Sequence, residues 1–213
     1  ETSAPAPVAG SPEDYFEWDG NTITGLTEKG KSATEITIPK KAEAVGSYAF
    51  SADSIGSIKS ITFEEGSQLK TIGEHAFWVC RAITDLTIPK SVEVIGDGAF
   101  NNCKNLTNLT FEEGSQLKTI EDSAFFQCTA LSGNIVIPKS VESIGEVAFK
   151  ECPIESITFE AGSQLKLIGA SAFHSCLGLT EIFIPKNVET IEYSAFDGCV
   201  NVKSLTFEEG SQL

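Results

Sequence analysis

"LTIPKSVEVIGDGAFNNC" (Leu86–Cys103) joins three local patterns in one short run. Leu86 and Ile88 alternate with Thr87, which predicts a short strand with one face buried. Pro89 follows at once; it lacks an N–H and suits a strand end. Beyond it, Val92, Ile95, Ala99, Phe100 and Cys103 are too apolar for a free loop. Gly96 and Gly98 argue against a helix there, so a tight turn or a turn of 3-10 helix is expected. A run this short buries nothing alone, so its meaning depends on whether it recurs.

It recurs along almost the whole chain. Ala-Phe occurs seven times, with Phe at positions 50, 77, 100, 125, 149, 173 and 196. Five positions before each Phe stands Val45, Ile72, Ile95, Ile120, Ile144, Ile168 or Ile191. The strand pattern recurs as Ile58-x-x-Ile61-x-Phe63, Leu106-x-x-Leu109-x-Phe111, Ile154-x-x-Ile157-x-Phe159, Leu179-x-x-Ile182-x-Ile184 and Val202-x-x-Leu205-x-Phe207. Two versions alternate: "IPKSVEVIG" from Ile88, and the longer "FEEGSQLKTIG" from Phe63. "EEGSQL" or "EAGSQL" begins at Glu64, Glu112, Glu160 and Glu208, at equal intervals that each span two coils, so the duplicated unit is a coil pair.

A period of about 24 residues predicts a repeat solenoid, mainly β, with short 3-10 or turn segments. The x-L-x-L strands should stack as a parallel sheet of about eight short strands at roughly 4.8 Å spacing. Ala beside Phe is read as a small/large pair: the ring fills the coil while Ala lets the backbone pass. Three regions follow: 1–14 as a flexible Pro/Ala/Ser linker, 15–33 as cap strands and a turn, and 34–213 as the array. The array stops in mid-coil at "FEEGSQL" (Phe207–Leu213), so the chain is expected to be truncated there.

The pattern L-x-x-L-x-I-P-x-S-V-x-x-I-G-x-x-A-F-x-x-C resembles the BspA-like class of bacterial leucine-rich repeats, over residues 33–213. That resemblance implies a right-handed superhelix on a secreted or surface-attached bacterial protein. It also implies a role in adhesion to host matrix proteins, host cells or other bacteria, and it supplies no catalytic residues. The first coil departs from the pattern, with Asp53 in place of Cys and a connection two residues longer.

Composition narrows the function. Fifteen Lys and Arg face 30 Asp and Glu, a formal charge of -15, which repels nucleic acid and anionic lipid. No apolar run is long enough for a membrane-spanning helix. "GLTEKGKS" (Gly25–Ser32) fits the phosphate-loop pattern by letter, but a strand and not a helix is expected after it, so it reads as a solvated hairpin turn. The six Cys, at 80, 103, 128, 152, 176 and 199, each fall three residues after an Ala-Phe ring. One per coil without any C-x-x-C predicts a ladder of buried reduced thiols rather than a disulfide or zinc framework. His75 and His174 have no partners at ligand spacing and read as surface-turn residues, and the paired Glu read as a solvated acidic edge. Asn105 and Asn108, both in sequons, read as strand lead-in.

No enzyme, cofactor or metal site is expected. The candidate protein-binding face is the outward column Thr62, Thr87, Thr110, Val136, Thr158, Phe183 and Thr206, in which Phe183 breaks a run of Thr. Ser60, Asp85, Asn108, Asn134, Ser156, Glu181 and Ser204 form the column beside it. Thr suits a strand without any ligand. A passive spacer projecting another domain from the cell therefore stands beside the adhesion reading. Either way the chain is expected to be a monomer, and the scarcity of Trp and Tyr argues against carbohydrate binding.

Overall fold

Alternation produces strands where it occurs. In the computed structural model, which describes residues 11–213 apart from Asp53, Gly56, Ser57 and Gln212, the x-L-x-L segments are eight four-residue strands. They are β3 (Glu35–Ile38), β5 (Ser60–Phe63), β7 (Asp85–Ile88), β9 (Asn108–Phe111), β11 (Asn134–Ile137), β13 (Ser156–Phe159), β15 (Glu181–Ile184) and β17 (Ser204–Phe207). Leu86 and Ile88 of β7 face inward while Asp85 and Thr87 face out. The chain is a β-solenoid of stacked parallel strands with almost no helix.

The hydrogen bonding differs in one respect from a single eight-stranded sheet. The four-residue strands pair only in twos: β3–β5, β7–β9, β11–β13 and β15–β17, each parallel and in register. The continuous ladder lies on the return side. Its members are the two-residue strands β4 (Ala44–Val45), β6 (Thr71–Ile72), β8 (Val94–Ile95), β10 (Thr119–Ile120), β12 (Ser143–Ile144), β14 (Leu167–Ile168) and β16 (Thr190–Ile191). With β1 (Phe16–Asp19) and β2 (Thr22–Leu26) they make a nine-stranded sheet.

Proline explains the pairing. Within a pair, the N–H of the residue after the second strand donates to the last carbonyl of the first: Glu112 N to Ile88 O at 3.0 Å, and Glu64 N to Ile38 O at 2.9 Å. The equivalent donor from β7 back to β5 would be the nitrogen of Pro89, which carries no hydrogen. Pro138 and Pro185 leave the same gap before β11 and β15. The first Glu of each "EEGS" or "EAGS" strengthens the join that does form. Its Oε2 accepts from the backbone N–H of Lys40, Lys90, Lys139 or Lys186, at 2.8–3.0 Å. Glu64, Glu112, Glu160 and Glu208 are therefore half-buried caps across the coil pair, not a freely solvated edge.

A third ladder runs through the Ala-Phe turns. Phe50, Phe77, Phe100, Phe125, Phe149 and Phe173 each donate their N–H to the Ala carbonyl one coil on, at 2.7–2.8 Å. The residues two before and two after the ring also donate to the next coil, and these carry positive φ: His75 and Val79, Ser123 and Gln127, Val147 and Glu151. Each such residue costs on the order of 1 kcal/mol when it is not Gly. The inter-coil hydrogen bonds and the core beneath them hold it in place.

That core is one column. The seven Ala-Phe rings stack with centroids 5.0–5.4 Å apart and planes within 13°. The six from Phe50 to Phe173 are buried, together with Ile72, Ile95, Ile120, Ile144 and Ile168 of the continuous ladder. Gly96 follows Ile95 because a Cβ there would lie 2.8 Å from Ile72 O. Where Glu121 and Glu192 replace this glycine, their carboxylates accept from Asp97 N and Ala170 N at 3.0 and 2.9 Å instead.

At the N-terminal end, β1 and β2 form an antiparallel hairpin, and β2 then pairs in parallel with β4. Phe16 sets its ring edge-on against Phe50, 6.3 Å away, and so covers the first ring of the column. Of the stretch read as linker, residues 1–10 lie outside the described residues. Ser11 exchanges two hydrogen bonds with Thr37, both 2.8–2.9 Å, and Glu13–Tyr15 forms a turn of 3-10 helix. The Asp53 position of the first coil also lies outside the described residues.

Candidate protein-binding face

The outward column is built by register. Thr37 lies opposite Thr62, Thr87 opposite Thr110, Val136 opposite Thr158, and Phe183 opposite Thr206. Paired Thr hydroxyls meet at 3.0 Å (Thr37–Thr62) and 2.9 Å (Thr87–Thr110). Thr62, Thr87, Thr110, Thr158 and Thr206 are exposed, and so are the two apolar members, Val136 (43%) and Phe183 (42%). Beside them Asn108 donates to Asp85 at 2.6 Å and Ser156 to Asn134 at 2.8 Å. The face is thus a polar surface, ordered within each strand pair by its own hydrogen bonds and carrying a few apolar side chains.

The missing ladder bonds cut grooves across it. Between β5 and β7 lies a groove of about 310 Å³, with Phe63 and Leu86 in its lining and Asp85 and Glu112 as its charged groups. Between β9 and β11 the groove holds about 160 Å³, lined by Phe111, Val136 and Glu160 among others. Between β13 and β15 the corresponding space is nearly filled: Phe159, Phe183 and the core rings Phe173 and Phe196 leave only about 10 Å³, room for a water and not for a side chain. Sequence reading missed these grooves, although the Pro that leaves each one open is visible in it.

The other candidates separate cleanly. "GLTEKGKS" is not a hairpin turn: Glu28–Lys31 is a one-turn helix, α1. Its first turn is already capped by Thr27, whose hydroxyl accepts from Gly30 N at 3.2 Å and whose carbonyl accepts from Lys31 N at 2.9 Å. A Cβ on Gly30 would stand 2.1 Å from Tyr15 O, so this glycine serves packing against the cap. The amides that a phosphate would need are spent within the turn.

The cysteines form the expected ladder, all six as free thiols, five buried and Cys199 half-buried. From Cys103 onward each Sγ–H donates to the Phe carbonyl of the preceding coil at 3.0–3.2 Å, as Cys152 does to Phe125 O. Burial pushes the Cys80 thiol up to about 11 and raises Cys103, Cys152 and Cys176 further. These are unreactive packing groups.

His75 is more than a surface-turn residue. It stacks on Tyr48 at 5.0 Å and 7° and meets the edge of Trp78 at 6.1 Å. His174 stands 3.5 Å from Asp197. Asn105 and Asn108 spend their amides on Arg81 O and Asp85. Among the described residues no group of three or more His, Cys, Asp and Glu could hold a metal ion, and no helix is long and apolar enough to cross a membrane.

A family model described as the BspA type leucine-rich repeat region matches in six copies, over residues 28–133 and 111–212. The chain belongs to the BspA-type leucine-rich-repeat family. A leucine-rich repeat protein from Eubacterium ventriosum is 30% identical, with a TM-score of 0.72 over 89% of this chain and 50% of that one. The T. pallidum leucine-rich repeat protein shares the fold at 23% identity, TM-score 0.61, over 93% of this chain and 85% of its own. The pneumococcal vaccine antigen PcpA shares it at 21% identity, TM-score 0.54, over 89% and 66%. This BspA-type chain thus spans about half to two thirds of the first and third of these. No match to it was found among curated proteins.

Proposed function

We propose that this chain is a non-enzymatic interaction module on the outside of a bacterial cell, binding a host or microbial protein through the four-residue-strand face. One observation carries the reading. Phe183 and Val136 stand exposed in a column otherwise made of Thr, on strands held in register in pairs. A large ring left in water on a rigid sheet is the kind of side chain that anchors an interface. The surface location rests on the family, and on a fold shared with a vaccine antigen.

Residues 1–213 immobilised and probed with matrix proteins and with whole host or microbial cells should bind saturably. Phe183→Ala, with Thr110→Glu as a second variant, should weaken that binding about tenfold, the effect of losing one anchor. Binding that survives both substitutions would overturn the assignment of this face. The uninterrupted ring column and nine-stranded ladder favour a second reading, a stiff spacer. Absence of saturable binding to any of the probes would leave that reading in its place.

A further inference from the structure

The two open grooves, at β5–β7 and β9–β11, stand one coil pair apart and share one chemistry. Each lies between one coil pair and the next, because Pro89 and Pro138 lack the N–H that would close the ladder there. Each is floored by apolar side chains: Phe63 and Leu86, then Phe111 and Val136. The charged groups that line them are all acidic: Asp85 and Glu112, then Glu160. Among the described residues no Lys or Arg lines either of the two.

The spacing follows from the core. Successive rings are 5.0–5.4 Å apart, close to the spacing of paired strands. Two coils therefore advance by about 10 Å, twice the inter-strand distance. A polyproline-II chain rises about 3.1 Å per residue and returns to the same side every third residue, an advance of about 9 Å. A strand alternates faces every residue and offers same-side side chains at about 6.6 or 13 Å, which fit less well. A long cationic side chain would lay its methylenes on the apolar floor and set its charge against the carboxylate.

Resting on the proposed function of this face, we infer that its partner is an extended polyproline-II segment carrying Lys or Arg at every third residue. The segment lies along the solenoid axis and places one cationic side chain in each of the two open grooves. A chain of net charge -15 also draws such a segment in by long-range attraction.

The test uses residues 1–213 and three fluorescently labelled peptides of equal length: (Pro-Pro-Arg)4, (Pro-Pro-Glu)4, and a peptide of the first composition with its four Arg adjacent. The first should bind saturably at one per chain, the second not at all, and the third at least about fivefold more weakly than the first. Asp85→Asn removes one groove charge without touching the backbone caps. It should weaken (Pro-Pro-Arg)4 by about two- to fivefold, given an exposed pair of about 0.2–1 kcal/mol, with the melting temperature unchanged. Equal binding of the adjacent-Arg peptide would mean that general acidity, not groove spacing, is being read, and would overturn the inference. So would no binding of (Pro-Pro-Arg)4. If the Phe183→Ala effect on a protein partner persisted in that case, the proposed function would stand and only the partner's chemistry would fall.

Discussion

Phe125 is fully buried between Phe100 and Phe149, 5.2 and 5.0 Å from their centroids. Phe125→Ala removes a ring that nothing can replace, because both neighbours are tied by Phe N–H to Ala carbonyl bonds. Loss of a buried Phe costs about 3–5 kcal/mol, read by denaturant unfolding. Phe196→Ala, at the half-buried end of the same column, should cost clearly less. The thiols make a second residue-scale test. Cys80, Cys103 and Cys152 have values raised by burial above an ordinary thiol, so the folded state keeps protons that the unfolded chain releases. Their contribution is complete below about pH 9 and is lost as pH rises through that value toward the folded one, about 11 for Cys80. The melting temperature should fall over that window, and less steeply in a Cys103→Ala/Cys152→Ala variant. A thiol reagent should reach Cys199 first in the native protein.

At the scale of the element, one carboxylate strengthens the join between the coils of a pair. Glu112 Oε2 accepts from Lys90 N at 2.9 Å while Glu112 N donates to Ile88 O at 3.0 Å. Glu112→Ala keeps the second bond and loses the first, which resembles the loss of a helix cap and should cost about 1 kcal/mol. Hydrogen exchange at the Lys90 amide should speed up, while the Phe100 amide, in the turn ladder, should not change. These elements differ in how far the sequence declares them. Leu86 and Ile88 show β7 by alternation, and the Ala-Phe spacing shows the ring column. Val94–Ile95 gives no such sign, because two residues have no period, yet that segment carries the continuous sheet. The cap by Glu112 and the gap at Pro89 were hidden for another reason: each acts on a neighbouring coil distant in sequence, and only register brings the two together. Phe183 as a break in the Thr column was legible, whereas the grooves across the face were not.

For the whole molecule, stability in a solenoid is a sum over coils and the joins between them. The joins here are of two kinds, so the unit of the array is the pair. Deleting Glu64–Phe111 removes one whole coil pair and fuses Phe63 directly to Glu112. Glu112 then takes the place of Glu64, donating its N–H to Ile38 O and capping Lys40 N, and every join stays of its own kind. Deleting only Glu64–Ile88 fuses Phe63 to Pro89. Pro89 then faces Ile38 O without a donor, and Lys40 loses its carboxylate. Two lost bonds of about 1 kcal/mol each, one of them charge-assisted, set the penalty at about 2 kcal/mol. The larger deletion should therefore melt higher than the smaller one, although it removes nearly twice as much chain. A calorimetric ranking in the opposite order would mean that coil number, and not the alternation of proline and glutamate joins, governs how this array holds together.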